Sequence, residues 1–329
     1  MCTGYQNKIG LSRRSCDKNG GNSPASRRFR RRRNISGTWP EHELLLPEHF
    51  SGRIDVAGTE ERGRIGGVNT QRRNTAAALT VAGSDSGGGA GTQADLKVFH
   101  SLGVFGTSAI TCLTAQNPSR VTGIEPVSAR MVTEQIERVL EAFPVRAAKT
   151  GMLYEPEIIA AVARVFSRYK FRNLVVDPVM IASSGARLLK PDGVAVLTKK
   201  LLPLALVVTP NRAEAEVLLG KSIGSLAEQR DAARLLAERF GAAVVVKGGH
   251  VGGARVVDVL FDGRDVYEFV AARVPRVKTH GTGCVFSAAL AANLALGFSL
   301  VDSVARAKSF VTDAIRHSLR VGRFRVLQI

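Results

Sequence analysis

Several things are scarce in this chain of 329 residues. No run of about 18 apolar residues is free of charge, so no membrane-spanning helix is expected. The four cysteines, Cys2, Cys16, Cys112 and Cys284, stand at no metal-ligand spacing. Such sparse use excludes a disulfide scaffold and a zinc module, and fits a reducing cytosol. Internal repeats are lacking, which leaves a single folded domain. Acid is scarce near the start: Asp17 is the only acidic residue before Glu41.

Charge divides the chain in two. Residues 1–75 hold 15 Lys and Arg against 7 Asp and Glu, and the remainder 31 against 21. The first segment has no sustained period of 3.6 or 2, is rich in Gly, Ser, Asn and Arg, and contains RRFRRRR from Arg27 to Arg33. It reads as a basic, disordered N-terminal extension. Three origins are open to it: upstream sequence ahead of a non-ATG start at Val56 or Val68, a dispensable tail, or a targeting segment. The mild basicity of the rest suits phosphate ligands and is no sign of nucleic-acid binding.

From residue 76 the pattern changes. Short apolar runs alternate with helical ones: strands at Ala78–Gly83, Val104–Thr111, Val145–Lys149, Leu174–Pro178, Ala205–Thr209 and Ala243–Lys247, with helices at Thr92–Leu102, Val127–Phe143, Glu155–Tyr169, Arg212–Leu219 and Leu226–Phe240. Alternation of this kind gives an α/β fold, a mostly parallel sheet with helices on both faces. Arg255–Val274 alternates around Asp262-Gly263 as a small antiparallel hairpin at the sheet edge. Ser299 and Asp302 form a cap for a last helix ending near Gly322. Met131 and most aromatics are expected in the core.

The most informative stretch is THGTGCVFSAALAANLALG, Thr279–Gly297. Three small residues, Gly281, Thr282 and Gly283, lead into a helix apolar on every face, which belongs in the interior. Its N-terminus brings unpaired N–H groups and the positive end of the helix dipole to an internal site, where glycines let an oxygen-rich ligand approach. That is an anion site. The same field is expected to lower the pKa of Cys284 in the first turn and make it a base, whose loss costs about 10²-fold in rate or more.

A second glycine loop, SDSGGGAG, lies between the first strand and helix. Gly89, Gly91 and Ala94 fit a dinucleotide fingerprint, but the second strand runs into Cys112–Gln116 with no acid for a ribose, and no GK[S/T] is present to make a P-loop. The loop instead reads as a cover over a small polar substrate, with Asp85 or Asp95 gripping a hydroxyl or amino group. Polar residues then recur at strand ends, where open parallel sheets bind ligands: Gln116 and Asn117, Lys149 to Met152, Asp177, Thr209 with Asn211 and Glu214, and Lys247. Asp177, Asn211 and Glu214 are oxygen ligands suited to Mg²⁺, and Lys247 is a point charge for phosphate. His280 and His250 have no partner acid at recognisable spacing and read as loop and exposed residues.

Taken in order, AGSDSGGGAGTQADLK, TCLTAQN, AKTGML, VVDPVM, VVTPNRAEAE, VVKGGH and THGTGC resemble the hydroxymethylpyrimidine/phosphomethylpyrimidine kinases of thiamine biosynthesis, over residues 77 to 320. The resemblance implies a three-layer ribokinase-like fold and a cytoplasmic, homodimeric enzyme. It would use ATP and Mg²⁺ to phosphorylate 4-amino-5-hydroxymethyl-2-methylpyrimidine and then its monophosphate. By motif position, Asp95 and Gln116 would bond the pyrimidine, with Gly83, Ala90, Met152 and Val179 as walls. Gly281, Thr282, Gly283 and Cys284 would form the catalytic anion turn with Lys247. Asp177 and Glu214 would hold Mg²⁺, and Asn211, Glu214, Lys247, Thr279 and Lys308 would face ATP. Pyridoxal kinase is the nearest alternative, and a ligand-binding regulator without catalysis a remoter one.

Overall fold

Apolar residues on both sides of β1 (Ala77–Asp85) explain why this strand lies inside the sheet. Leu79 and Val81 enter one apolar layer and Ala78 the other, as the twofold alternation of a strand requires. The computed structural model describes residues 75–181, 187–248, 253–275, 277 and 280–329. The expectations for the first 74 residues, for His250 and for Thr279 lie outside the described residues.

The chain continues through α1 (Gly91–Ser101), β2 (Phe105–Asn117), β3 (Arg120–Pro126), α2 (Ala129–Ala142), β4 (Val145–Thr150), α3 (Pro156–Arg168) and β5 (Leu174–Val176). After α4 (Gly193–Val196), helical turns run on to residue 204. Then come β6 (Val207–Val208), α5 (Arg212–Leu219), α6 (Leu226–Phe240), β7 (Ala243–Val246), β8 (Arg255–Phe261), β9 (Val266–Ala272), α7 (Thr282–Ala295), α8 (Leu300–Arg316), β10 (Leu319–Val321) and β11 (Phe324–Val326).

Among the described residues one sheet has nine strands in the order β3-β2-β1-β4-β5-β6-β7-β8-β9. From β2 to β7 every neighbour pairs in parallel, while β3 at one edge and β8–β9 at the other pair antiparallel. The apolar faces of α2, α3, α5 and α6 cover one side through Ile136, Ile159, Phe166, Leu218 and Leu236. Helices α1, α7 and α8 cover the other through Phe99, Phe286, Leu290 and Val304. The expected three-layer arrangement is therefore present, and the antiparallel hairpin sits at the sheet edge.

Four details differ from expectation. Gln116 and Asn117 lie within β2, which continues into an unforeseen hairpin with β3; the last residues of β2 are partly exposed and no residue of β3 is buried, so neither carries an apolar period. The turns from 193 to 204 were not anticipated. Helix α8, capped by the Ser299 hydroxyl accepting from Asp302 N–H, stops at Arg316, and Gly322 turns the small β10–β11 hairpin instead. Met131 is 43% exposed rather than in the core, because α2 presents only Val132 and Ile136 to the sheet. Among the described residues no helix is long and apolar enough to cross a membrane.

Candidate active site

Strand ends and the start of α7 converge on a cleft of about 830 Å³. Gly281 begins α7 with φ at +84°, and a Cβ there would lie 1.9 Å from Gly89 O, so only glycine fits where the two glycine loops touch. No side chain caps this helix. The N–H groups of Thr282, Gly283 and Cys284 are thus left for a ligand by helix geometry. Lys247 Nζ rests against the turn, 3.3 Å from where a Gly283 Cβ would project. A helix N-terminus and an ammonium group here share one face of the cleft.

One end is built by β1, β2 and β4. Gly83, Ala90, Met152, Val179 and Gln116 line it. Gly83 has no room for a side chain: a Cβ would lie 2.7 Å from Cys112 Sγ and 3.4 Å from Met152 Sδ. Burial pushes the Cys112 thiol up to about 11.

The two carboxylates expected to grip the substrate are engaged elsewhere. Asp95 lies on the buried face of α1 with Ala94, Val98 and Phe99, is fully buried, and does not line the cleft. Its Oδ2 accepts from Thr80 Oγ1 at 2.6 Å and from Lys149 Nζ at 2.8 Å. Burial opposes the charge of Lys149, but the neighbouring groups, Asp95 first and Asp177 among them, together outweigh it and the ammonium pKa lies above its ordinary value. Asp85 lines the cleft but turns inward to order the glycine loop, accepting from the N–H groups of Gly87 at 2.8 Å, Gly89 at 3.1 Å and Ala90 at 2.8 Å. Although burial works against its charge, bonding from His280 and these amides keeps its pKa below the usual value.

His280 also departs from expectation. Its Nε2 lies 2.8 Å from Gln116 Nε2 and 3.3 Å from Asp85 Oδ2. Both partners are far away in sequence, so no local spacing could reveal them.

At the other end, Asp177 follows β5 and Lys247 follows β7. Lys247 Nζ meets Asp177 Oδ1 at 3.0 Å, and the same carboxylate accepts from Thr209 Oγ1 and Ser287 Oγ, each at 3.3 Å. Glu214 and Asn211 form a reciprocal cap at the start of α5. Asn211 Oδ1 accepts from Glu214 N–H at 3.0 Å, so this oxygen serves the helix and the expected metal ligand is engaged locally. Burial lifts Glu214 to about 7, with Lys247 opposing and Asp177 adding to the rise. Lys308 lines the cleft, where its ammonium donates to Asp258 Oδ2 at 2.8 Å. Asp258 Oδ1 accepts from Gly248 N–H at 2.9 Å, and sequence reasoning missed this residue, whose single acid in an apolar strand gives no local signal. Among the described residues no cluster of three His, Cys, Asp or Glu side chains is arranged to hold a metal by itself.

Cys284 reverses the expectation drawn from the helix dipole. Burial, reinforced by Asp95 and Asp177 and opposed by Lys149, pushes its thiol up to about 11. Burial is the main cause of the rise, and Lys149, the strongest nearby charge, acts against it, so burial and not the helix field sets the direction of the shift.

Comparison with known proteins agrees with this geometry. The family model described as phosphomethylpyrimidine kinase matches residues 85–327. A hydroxymethylpyrimidine/phosphomethylpyrimidine kinase of Rhizobium meliloti (strain 1021) is 50% identical over 242 residues, 73% of this chain and 91% of the relative. Among solved structures, the phosphomethylpyrimidine kinase of Clostridium difficile 630 is 39% identical with a TM-score of 0.65, covering 73% of this chain and 99% of that one. The ADP complex of a Bacillus subtilis pyridoxal kinase is 34% identical with a TM-score of 0.71, covering 77% and 97%.

Proposed function

The chain belongs to the phosphomethylpyrimidine kinase family, and from that premise we infer an ATP-dependent phosphotransferase of thiamine biosynthesis. Its cleft takes 4-amino-5-hydroxymethyl-2-methylpyrimidine, phosphorylates the hydroxymethyl group, and then phosphorylates the monophosphate to the diphosphate. The observation that carries this reading is the uncapped start of α7 with Lys247 against it, opposite a wall that ends in Gln116.

The expected chemistry follows from that layout. The ring lies between Gly83, Met152 and Val179, with Gln116 at its edge, and this holds the hydroxymethyl oxygen toward α7. Negative charge on the transferred phosphoryl group meets the N–H groups of Thr282, Gly283 and Cys284 and the ammonium of Lys247. Phosphoryl transfer passes through a loose transition state, so positioning and charge stabilisation supply most of the rate. With its pKa raised by burial, Cys284 is expected to meet the substrate as a thiol rather than a thiolate. By motif position, Asn211, Glu214, Lys308 and Thr279 are the residues expected to face the nucleotide.

A magnesium ion fits the donor set. Asp177 and Glu214 are two carboxylates that line the cleft beside one lysine. These two would hold the ion, directly or through water, and it would supply neutralisation of the phosphate oxygens. The same reading makes residues 1–75 an extension outside the kinase domain 76–329, and the protein a cytoplasmic homodimer with no nucleic-acid partner. Half-exposed Leu113 on β2 offers an apolar contact for a second copy.

Incubating the protein with Mg-ATP and either hydroxymethylpyrimidine or pyridoxal, with product masses followed, tests the assignment. Two successive phosphate additions to the pyrimidine are expected. A single addition to pyridoxal, with the pyrimidine untouched, would move the protein to vitamin B6 salvage.

A further inference from the structure

The phosphoryl-transfer groups make no use of His280, yet its ring lies where three segments converge. Nε2 faces the Gln116 carboxamide at 2.8 Å and Asp85 Oδ2 at 3.3 Å. The ring also packs over Gly89, where a Cβ would come within 3.3 Å of Cδ2. It stands immediately before the Gly281 turn, with only 15% of its side chain exposed.

Donors and acceptors around this ring leave one consistent arrangement. The Asp85 carboxylate is ionised and can only accept. Thr114 Oγ1 has one hydrogen, which it gives to Ser84 O at 2.8 Å, while it also lies 3.3 Å from the end of the Gln116 side chain. It can therefore offer Gln116 only a lone pair. A half-turn of the carboxamide exchanges its oxygen and nitrogen, and partners decide between the two orientations. With nitrogen toward Thr114 and oxygen toward His280, every contact joins a donor to an acceptor: Gln116 N–H to Thr114 Oγ1, and His280 Nε2–H to Gln116 Oε1 and Asp85 Oδ2. In the opposite orientation one Thr114 hydrogen faces two acceptors, and a lone pair on His280 Nε2 faces a carboxylate.

We propose that His280 is a positioning residue for recognition of the acceptor ring: with its proton on Nε2, shared between Asp85 and Gln116, it fixes which way the Gln116 carboxamide faces. The amide then keeps one N–H and one oxygen lone pair for the ligand. That edge is complementary to an aminopyrimidine, whose ring nitrogen accepts beside an amino group that donates. Asp85 orders the glycine loop and, through His280, also sets the polarity of the substrate edge. The inference rests on the pyrimidine reading above.

Steady-state kinetics of the full chain, with pyrimidine and ATP varied separately, test it in the wild type, His280→Ala and His280→Gln, each checked by thermal melting. His280→Ala is expected to raise the KM for the pyrimidine about tenfold, the scale of one lost hydrogen bond, with the KM for ATP and the melting temperature nearly unchanged. His280→Gln restores an N–H donor and recovers most of the loss. An unchanged pyrimidine KM in His280→Ala, an equal rise in both KM values, or a glutamine variant no better than alanine would each overturn the proposal. Wild-type protein inactive on the pyrimidine would refute the substrate assignment instead, and the variants would then be judged on the ring that the wild type accepts.

Discussion

Lys149 and Lys247 each leave a strand end to meet an aspartate, Asp95 at 2.8 Å and Asp177 at 3.0 Å. The first pair is sealed, with no exposed side-chain area on either partner, while Lys247 keeps 14% of its side chain open. Asp95 Oδ2 also takes the Thr80 hydroxyl, so this one oxygen ties α1 to β1 and β4, while Oδ1 is buried with no hydrogen-bond partner among the described residues. Lys247 lies against the uncapped turn of α7, and in the proposed function it would turn from Asp177 to a phosphate. On that reading equal chemistry serves two ends: burial decides whether an ion pair ties elements together or exchanges one partner for a ligand. Lys308 with Asp258 lies between these cases, at 9% and 6%.

Three variants break or sharpen that contrast. The largest effect is expected from Lys149→Met, which strands Asp95 as a buried charge and costs about 3–5 kcal/mol of stability. Denaturant unfolding reads this directly, and the double variant Asp95→Leu/Lys149→Met should recover most of it. A single variant as stable as the wild type would mean that the sealed pair ties nothing together. Next comes Lys247→Met. Here kcat/KM should fall by about 10²–10³-fold, the scale of losing one preorganised charge-stabilising donor, while unfolding changes little because water can replace the ammonium in the cleft. Equal losses of stability at Lys149 and Lys247 would erase the distinction between them.

The smallest effect concerns Cys284, whose thiol responds to groups of both pairs. Its pKa is raised from 9.0 to about 11, so it stays protonated from pH 7 to 9 and contributes no ionisation there. Cys284→Ala should therefore lower kcat by well under the roughly 10²-fold that loss of a general base costs, and leave the pH profile parallel to the wild type across that range. A limb present only in the wild type, with a midpoint below pH 9, would restore the thiolate.

Elements with a strong period were legible from sequence: α3, α6 and the buried strands fall close to their expected bounds, because apolar runs and flanking glycines report burial directly. The far end of β2, its hairpin with β3 and the turns from 193 to 204 were not, since partly exposed strand ends and irregular turns leave no apolar signature. At the site, strand-end residues such as Asp177, Gln116 and Lys247 were readable because the topology of a parallel sheet brings such ends together. Pairings were not. Asp95 meets Lys149 and His280 meets Asp85 across long separations in sequence. Cys284 shows the same limit in electrostatic form: the helix field was visible from THGTGC, whereas the burial and carboxylates that overrule it belong to the folded molecule.

Helix α7 carries a consequence for how the protein is made. It lies close to the C-terminus, yet it supplies the apolar surface that covers Ala78, Ala147, Val175 and Val207 on one face of the sheet. At ribosomal speed, about 5–20 residues per second, on the order of 10–40 s separate the completion of α1 from that of α7. During that interval α1 stands without α7 and α8 on that face, so part of the nascent sheet stays bare. The segment that covers most of this face also carries the amides proposed to bind the anion. A chain cut short before residue 282 is therefore expected to lack both, so that covering the sheet and gaining the proposed anion site come with the same helix.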